Sequence, residues 1–290
     1  MPLSESLGLS PRRKSGVEAA CEAINDRIGG ASQAGCQSRP GSITYPTGAI
    51  VNLRYAGAMA PYYQPDDKLH PEQLKTKQRA LRDGFPLPLT LRVHRSLSWL
   101  RRAEEEHDDL DVRFILLWIG FNAAYAGDLD RALGDREGAS NERARIETFF
   151  ATLVELDTAN RVYDVIWDRF SQEIRLLLDN KYVFAPFWKH HAGEPGGAGW
   201  ELTFDSAKKV ANRALAEKNT CLALSILFDR LYVLRNQLVH GGATWDSAAN
   251  RSQVRDGAAL LGCLLPVFID IMMDHPEEEW AMPNYPMIEE

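Results

Sequence analysis

The sequence predicts an all-α, bundle-like protein. Two observations carry that expectation: apolar residues recur at helical spacing through several long segments, and hardly any run alternates with the two-residue period of a strand. Sustained periodicity begins at Pro88, where Leu89, Val93, Leu97 and Leu100 share one face and Arg92, Arg95, Arg101 and Arg102 take other positions, giving a helix that ends near His107. In the next segment, residues 112–126, Phe114, Ile115, Leu116, Leu117, Trp118, Ile119, Phe121 and Tyr125 leave almost no polar face. A helix of that kind belongs at the centre of a bundle, and Gly127 suits its C-cap. Residues 141–156 and 159–178 read as two further amphipathic helices. A turn-rich insert follows at 180–205, carrying Pro186, Pro195 and Gly196-Gly197. Helices then resume at 206–216, at 220–240 with a stop at Gly241-Gly242, and from about 247 to 273. No internal repeat is visible.

Composition narrows the function classes. Of 290 residues 45% are apolar and 25% charged, an ordinary balance for a chain that buries its own core, which argues against wholesale disorder and fibrous structure. The longest apolar runs, 114–126 and 258–273, are broken by Asn122, Pro266 and Asp270 and fall short of the ~20 residues of a membrane span. No transmembrane helix is expected, no secretory signal is visible, and the cytoplasm is the default location. Cys21, Cys36, Cys221 and Cys263 form no CxxC pair, so neither a zinc knuckle nor a disulfide framework is suggested. A net charge of -7 opposes non-specific coating of nucleic acid, yet it permits one local basic cleft.

Residues 1–85 differ from the rest in their Gly, Ser, Pro and Gln content and read as a poorly ordered leader, with short helices conceivable only at 17–28 and 69–82. Met59 is an alternative start, in which case 1–58 is an over-extended reading frame. The helical domain is placed at 88–275, with a tail at 276–290.

The segment from Leu227 to Gly242 carries the chemistry. At 100° per residue, Leu227, Leu231, Leu234 and Leu238 fall within a ~60° stripe that must face the core. Asp229, Asn236 and His240 lie together on the opposite side, with Arg235 between the two faces. His240 occupies the last helical turn, where the negative end of the helix dipole favours its imidazolium by about 0.3–1 kcal/mol. A histidine charged part of the time near neutral pH is a ready general acid or base, and the fork of donors on Arg235 suits a phosphate oxygen.

Arg235-Asn236-Gln237-Leu238-Val239-His240 resembles the Arg-x(4–6)-His signature of HEPN domains, with Asn in the polar position after the Arg and Gly after the His, as in Apea-like members. Leu117-Trp118-Ile119-Gly120-Phe121-Asn122 is similar to HEPN second-helix sequence, so the resemblance covers roughly 88–275. The insert at 180–205 departs from the minimal domain. What the resemblance implies is a HEPN-like up-and-down bundle acting on RNA as an endoribonuclease that needs neither metal nor cofactor. It further implies a homodimer in which two motifs meet in one cleft, a toxin or antiviral defence role, and a possible antitoxin or other regulatory partner. Arg235, Asn236 and His240 would be catalytic, with Asp229 and Asn122 in support.

Blander readings stand beside these. Arg235 could pair with Asp229 or Asp256, and His240 could merely satisfy terminal carbonyls. Asn122 either supports the motif helix or makes a plain structural contact. Arg92, Arg95, Arg101 and Arg102 could line an RNA path, although a solvated helix face is the simpler reading. His190-His191 read as loop histidines, and the runs Glu104-Glu105-Glu106 and Glu277-Glu278-Glu279 as solvated. Trp188, Trp200 and Trp245 could stack on bases or fill the core surface. No phosphate-binding glycine loop, GxSxG elbow or HExxH string appears. The rival class is a HEPN-like interaction or nucleotide-binding module without catalysis.

Overall fold

The computed structural model describes residues 69–126, 138–283 and 285, with side chains from residue 143 onward in the second stretch. The expected helix at 17–28, the alternative start at Met59, the Gly127 cap, Cys21 and Cys36 lie outside those residues. The described residues form helices and connecting turns and contain no strand, as the periodicity requires.

Ten α-helices follow one another: α1 (Pro71–Leu81), α2 (Leu87–Glu105), α3 (Leu110–Tyr125), α4 (Gly138–Leu156), α5 (Arg161–Asp164), α6 (Ser171–Leu178), α7 (Ala185–His191), α8 (Trp200–Ala216), α9 (Thr220–Val239) and α10 (Arg251–Asp274). Local chemistry sets several starts. Asp109 caps α3 by accepting the Val112 amide at 3.0 Å, and Asn219 caps α9 by accepting the Leu222 amide at the same distance. Pro71 and Pro88 stand in the first turns of α1 and α2, where no intrahelical N–H is lost.

The core is centred on Phe121. Its ring lies 4.5 Å from Phe228, 4.6 Å from Tyr125, 5.6 Å from Trp118, 6.0 Å from Phe150 and 6.3 Å from Phe268, so that α3, α4, α9 and α10 meet around one fully buried aromatic. The nearly featureless apolar surface of α3 demands this central place. Where α10 crosses α3 and α9, Gly257 lets the backbones close in: a Cβ there would stand 2.9 Å from Phe114 Cε2 and 3.1 Å from Leu231 Cδ2.

Several expectations need correction. The apolar run in α10 is not cut short by Pro266 or Asp270; the helix passes through both and reaches 24 residues. By length and composition it could cross a membrane, but 89% of its most apolar 18 residues are buried within the fold. Burial on every side outweighs the ~3 kcal/mol that an interior proline costs. Asp270 is tolerated because Lys77 and Arg161 both pair with it.

Residues 159–178 are not one helix. A π turn at Val165–Arg169 and a break at Phe170 (φ −120°, ψ 18°) separate α5 from α6. The cause lies in the apolar spacing: between Val162-Val165-Ile166 and Phe170-Ile174-Leu177 the pattern drifts by roughly a quarter turn on an ideal helix, and the wide turn takes up that drift. All six side chains are buried as a result.

The insert is more ordered than its turn residues suggest. It holds a 3-10 turn at Lys181–Val183 and the helix α7, and α8 begins at Trp200 rather than at 206. Gly199, with φ +67°, supplies the left-handed residue that turns the chain into α8.

The domain also starts before residue 88 and ends after 275. Leu74 of α1 is fully buried, and Lys77 pairs with Asp270 and Asp274 of α10. Beyond α10, Trp280 packs edge-on to Phe149 at 6.2 Å. Arg92 is neither solvated nor free for RNA. Its guanidinium is buried and donates to the carbonyls of Ala124 (2.7 Å), Ala126 (3.1 Å) and Ala281 (2.6 Å), capping α3 and tying down the chain after α10. Burial pulls this guanidinium down to about 10. Arg95 donates to the Tyr285 carbonyl, whereas Arg101 and Arg102 face solvent and pair along their helix with Glu105 and Glu106. Glu104 is not solvated: it is half-buried and pairs with Arg113 at 2.7 Å.

Removing the central ring by Phe121→Ala is expected to cost about 3–5 kcal/mol in urea unfolding, the usual loss for a buried phenylalanine. Acid should act through Asp274. Partial burial opposes its charge, but hydrogen bonds from Lys77 and Arg161 hold its carboxyl below the ordinary 3.8. A depressed folded-state value gives stability that is present above pH 3.8 and lost as pH falls through the folded value. Wild type should therefore weaken below about pH 4, and Asp274→Asn should flatten that part of the pH profile.

Candidate functional site at the C-terminal end of α9

Helix α9 meets three environments on three stripes. Leu227, Leu231 and Leu234 are fully buried and Leu238 is half-buried against the core, so the expected apolar stripe is the one that packs. On the opposite side His240 is exposed and Asn236 half-buried, with Arg235, also half-buried, between the two faces. The helix closes at Val239, and His240 is its cap residue, with φ −93° and ψ 11° and its amide on the Asn236 carbonyl at 3.0 Å. Gly241, at φ +70°, then turns the chain back so that the Ala243 amide reaches the Gln237 carbonyl at 3.2 Å.

Arg235 and Asn236 are brought together: Arg235 Nη1 donates to Asn236 Oδ1 at 2.9 Å. Neither carboxylate considered as a partner for Arg235 takes it. Asp229 pairs with Arg143 of α4 at 2.7 Å, and Asp256 pairs with Arg255 at 2.9 Å. Among the described residues Arg235 thus makes no ion pair, and the His240 imidazole makes no hydrogen bond, which leaves both side chains available to a ligand.

The two supporting residues are not brought to the motif. Asp229 lies seven residues before Asn236, about 10 Å along the axis, and is occupied by Arg143. Asn122 sits near the far end of α3, which runs antiparallel to α9: Trp118 faces Tyr232 at 6.1 Å and Phe121 faces Phe228 at 4.5 Å. Its level on α9 is near Phe228, about 18 Å from His240.

The beginning of α3 is the end that reaches the site. Trp245 Nε1 donates to Asp109 Oδ2 at 2.7 Å, the Asp246 amide to Asp111 Oδ2 at 2.8 Å, and Arg251 pairs with Asp111. Against a small burial penalty, the Val112 amide and the Trp245 indole hold the Asp109 carboxyl below its ordinary range. The hold of Asp109 on the loop after His240 spans 136 residues and has no local signal in the sequence.

The third stripe of α9 holds the insert. Arg230 and Gln237, seven residues apart, share a face. Gln237 Nε2 donates to the Tyr182 carbonyl at 2.6 Å, and the Arg230 guanidinium lies 4.4 Å from the Phe184 ring centroid and 5.6 Å from that of Phe204. Arg230 is 4% exposed, its Nε has no partner, and burial pulls it down to about 10. On the side away from the insert, Tyr232 (37% exposed) and Val239 (50%) leave apolar surface on α9 beside Arg235, and Val112 (39%) is exposed on α3. Ile115, Leu116 and Ile119 continue it half-buried along α3.

His190 and His191 belong to the last turn of α7 rather than to a loop, with rings 5.3 Å apart. Among the described residues no three or more His, Cys, Asp or Glu gather as a metal site. A scan against protein-family models matches none, and searches of curated proteins and of solved structures return no match.

Arg230 generates a stability prediction. A buried charge whose Nε has no hydrogen-bonding partner carries a desolvation cost that the neighbouring Asp229 offsets only in part and that exceeds the ~1–2 kcal/mol returned by stacking on aromatic faces. Arg230→Met, which keeps most of the volume, is expected to leave the melting temperature unchanged or raised. Arg230→Ala should lower stability by about 2 kcal/mol through lost packing.

Proposed function

We propose that the protein is a metal-independent endoribonuclease of the HEPN type that works as a homodimer. The observation that carries this reading is the unengaged pair at the end of α9, with Arg235 free of acidic partners and His240 exposed at the helix terminus. Arg235 without a carboxylate and His240 exposed rather than buried against its own chain are what the catalytic reading asks of the motif, and they support it.

The chemistry asks for groups of these kinds. In-line attack by a ribose 2′-hydroxyl on the adjacent phosphate needs a base at the nucleophile and an acid at the leaving 5′-oxygen. His240 serves one of those steps. Arg235 stabilises charge gathering on the phosphorane-like transition state, and Asn236, already bonded to Arg235, orients the guanidinium. One chain supplies one such histidine, so a two-fold partner would bring the second. The apolar surface of Tyr232 and Val239 beside Arg235 is where a second copy would pack, bringing two motifs face to face. The toxin or antiviral role and the regulatory protein rest on the HEPN resemblance of the motif alone.

The test is cleavage of a mixed RNA pool in excess EDTA. Wild type should yield 2′,3′-cyclic phosphate ends and spare DNA, which lacks the attacking hydroxyl. His240→Ala and Arg235→Ala, matched for folding by circular dichroism, should each lose about 10²-fold or more. Folded wild-type dimer that leaves every RNA intact would return the motif to the rival class, a non-catalytic interaction or nucleotide-binding module.

A further inference from the structure

The insert carries an exposed cluster of aromatic and cationic side chains that the cleavage mechanism does not use. Tyr182 is 53% and Trp188 43% exposed, although both adjoin a buried anchor, Phe187. Phe187 meets Tyr182, Trp188 and Trp200 nearly at right angles, at 5.4, 5.2 and 5.0 Å between centroids. Trp200 is thereby committed to packing, whereas Tyr182 and Trp188 keep surface in solvent. Lys181 Nζ stands 5.3 Å from the Tyr182 ring centroid, and Lys189 and His190 are exposed on the same short helix. Among the described residues Lys181 and Lys189 form no ion pair. Of the neighbouring acids, Asp179 is held by Lys208, and Glu194 and Glu201 are exposed.

The cluster is fixed relative to the motif. The Tyr182 carbonyl accepts from both Trp188 Nε1 (2.7 Å) and Gln237 Nε2 (2.6 Å), and Gln237 lies inside the Arg235–His240 segment. On the helical wheel Gln237 is about 60° from His240, so Tyr182 borders the face that presents the imidazole. Two turns back along α9, Arg230 grips Phe184. Two attachments to one rigid helix leave the aromatic pair little freedom to swing away.

We propose that Lys181, Tyr182 and Trp188 form a stacking subsite for single-stranded RNA, seating the bases next to the scissile phosphate while Lys181 and Lys189 meet the backbone. The occupant follows from the chemistry: exposed flat rings accept the face of any unpaired base, and unpaired ammonium groups complement a polyanion. A duplex keeps its base faces stacked internally and offers nothing to these rings. The subsite deepens the ribonuclease reading and rests on it for the identity of the strand.

Binding is tested apart from cleavage, by fluorescence anisotropy with a labelled pyrimidine-rich RNA 12-mer on full-length His240→Ala protein, and with the DNA 12-mer of the same sequence on wild type. Trp188→Ala and Tyr182→Ala should each weaken binding of both strands about tenfold or more, within the range of a lost base stack. Trp188→Phe, which keeps a flat ring but no indole N–H, should recover most of it. Lys181→Gln should lower the slope of log affinity against log salt by about one. Binding through Trp188 with no RNA cleavage by wild type would uphold the subsite and sink the nuclease. Cleavage that depends on His240, with folded Trp188→Ala and Tyr182→Ala binding as wild type does, would sink the subsite and leave the nuclease standing. Wild type that binds neither strand, or binds duplex as tightly as single strand, overturns the proposal.

Discussion

Everything in this fold answers to the burial of α10. A helix of 24 residues, apolar on nearly every side, keeps that surface from water only if other helices cover it along its whole length. Helices α1, α2, α3 and α4 do so, and α9 crosses it where Gly257 admits the closest approach. The demand reaches the polar groups too: Asp270 enters this environment only under the cover of Lys77 and Arg161. Once α10 and α3 are enclosed, the direction of α9 is set, and with it the direction in which the motif emerges.

The stripes of α9 show how one helix can hold several partners and still leave a face open. Its leucines serve the core, Arg230 and Gln237 serve the insert, and Asn236 and His240 serve neither. The division is angular: the three stripes point in different directions around the helix axis, so firm attachment on two of them coexists with accessibility on a third. A catalytic group on such a helix is positioned by contacts that it does not itself make.

How much of this was legible in the sequence depends on the range of the interaction. The leucine stripe of α9, the central place of α3 and the start of α2 follow from short-range periodicity, and the structure has them. Arg92 and Arg101 look alike in the same helix. What separates them is a set of carbonyls that includes one 189 residues away, and no local pattern carries that information. The π turn between α5 and α6 was encoded as a drift in apolar phase, readable once continuity of the helix is not assumed. The order of the insert was masked by its glycines and prolines, because its stability comes from Phe184 and Phe187 packing rather than from helix propensity. In the candidate site, Arg235, Asn236 and His240 were visible as a string. The engagement of Asp229 with Arg143 and the distance of Asn122 were not, since both depend on how helices pair.

The clamp of Arg92 and Arg95 on the chain beyond α10 bears on synthesis. These arginines belong to the second helix to leave the ribosome among those described, and their acceptors at Ala281 and Tyr285 come some 190 residues later. Contacts of such sequence separation close late, because the entropy of a long loop is lost before any reward is gained. Until then the Arg92 guanidinium has only the Ala124 and Ala126 carbonyls of its set and α3 lacks the cover of α10, so a nascent chain exposes apolar flanks of the kind that chaperones hold. The setting of α9 is completed only when α10 arrives at Gly257, so the Arg235–His240 end is among the last parts of the fold to be fixed.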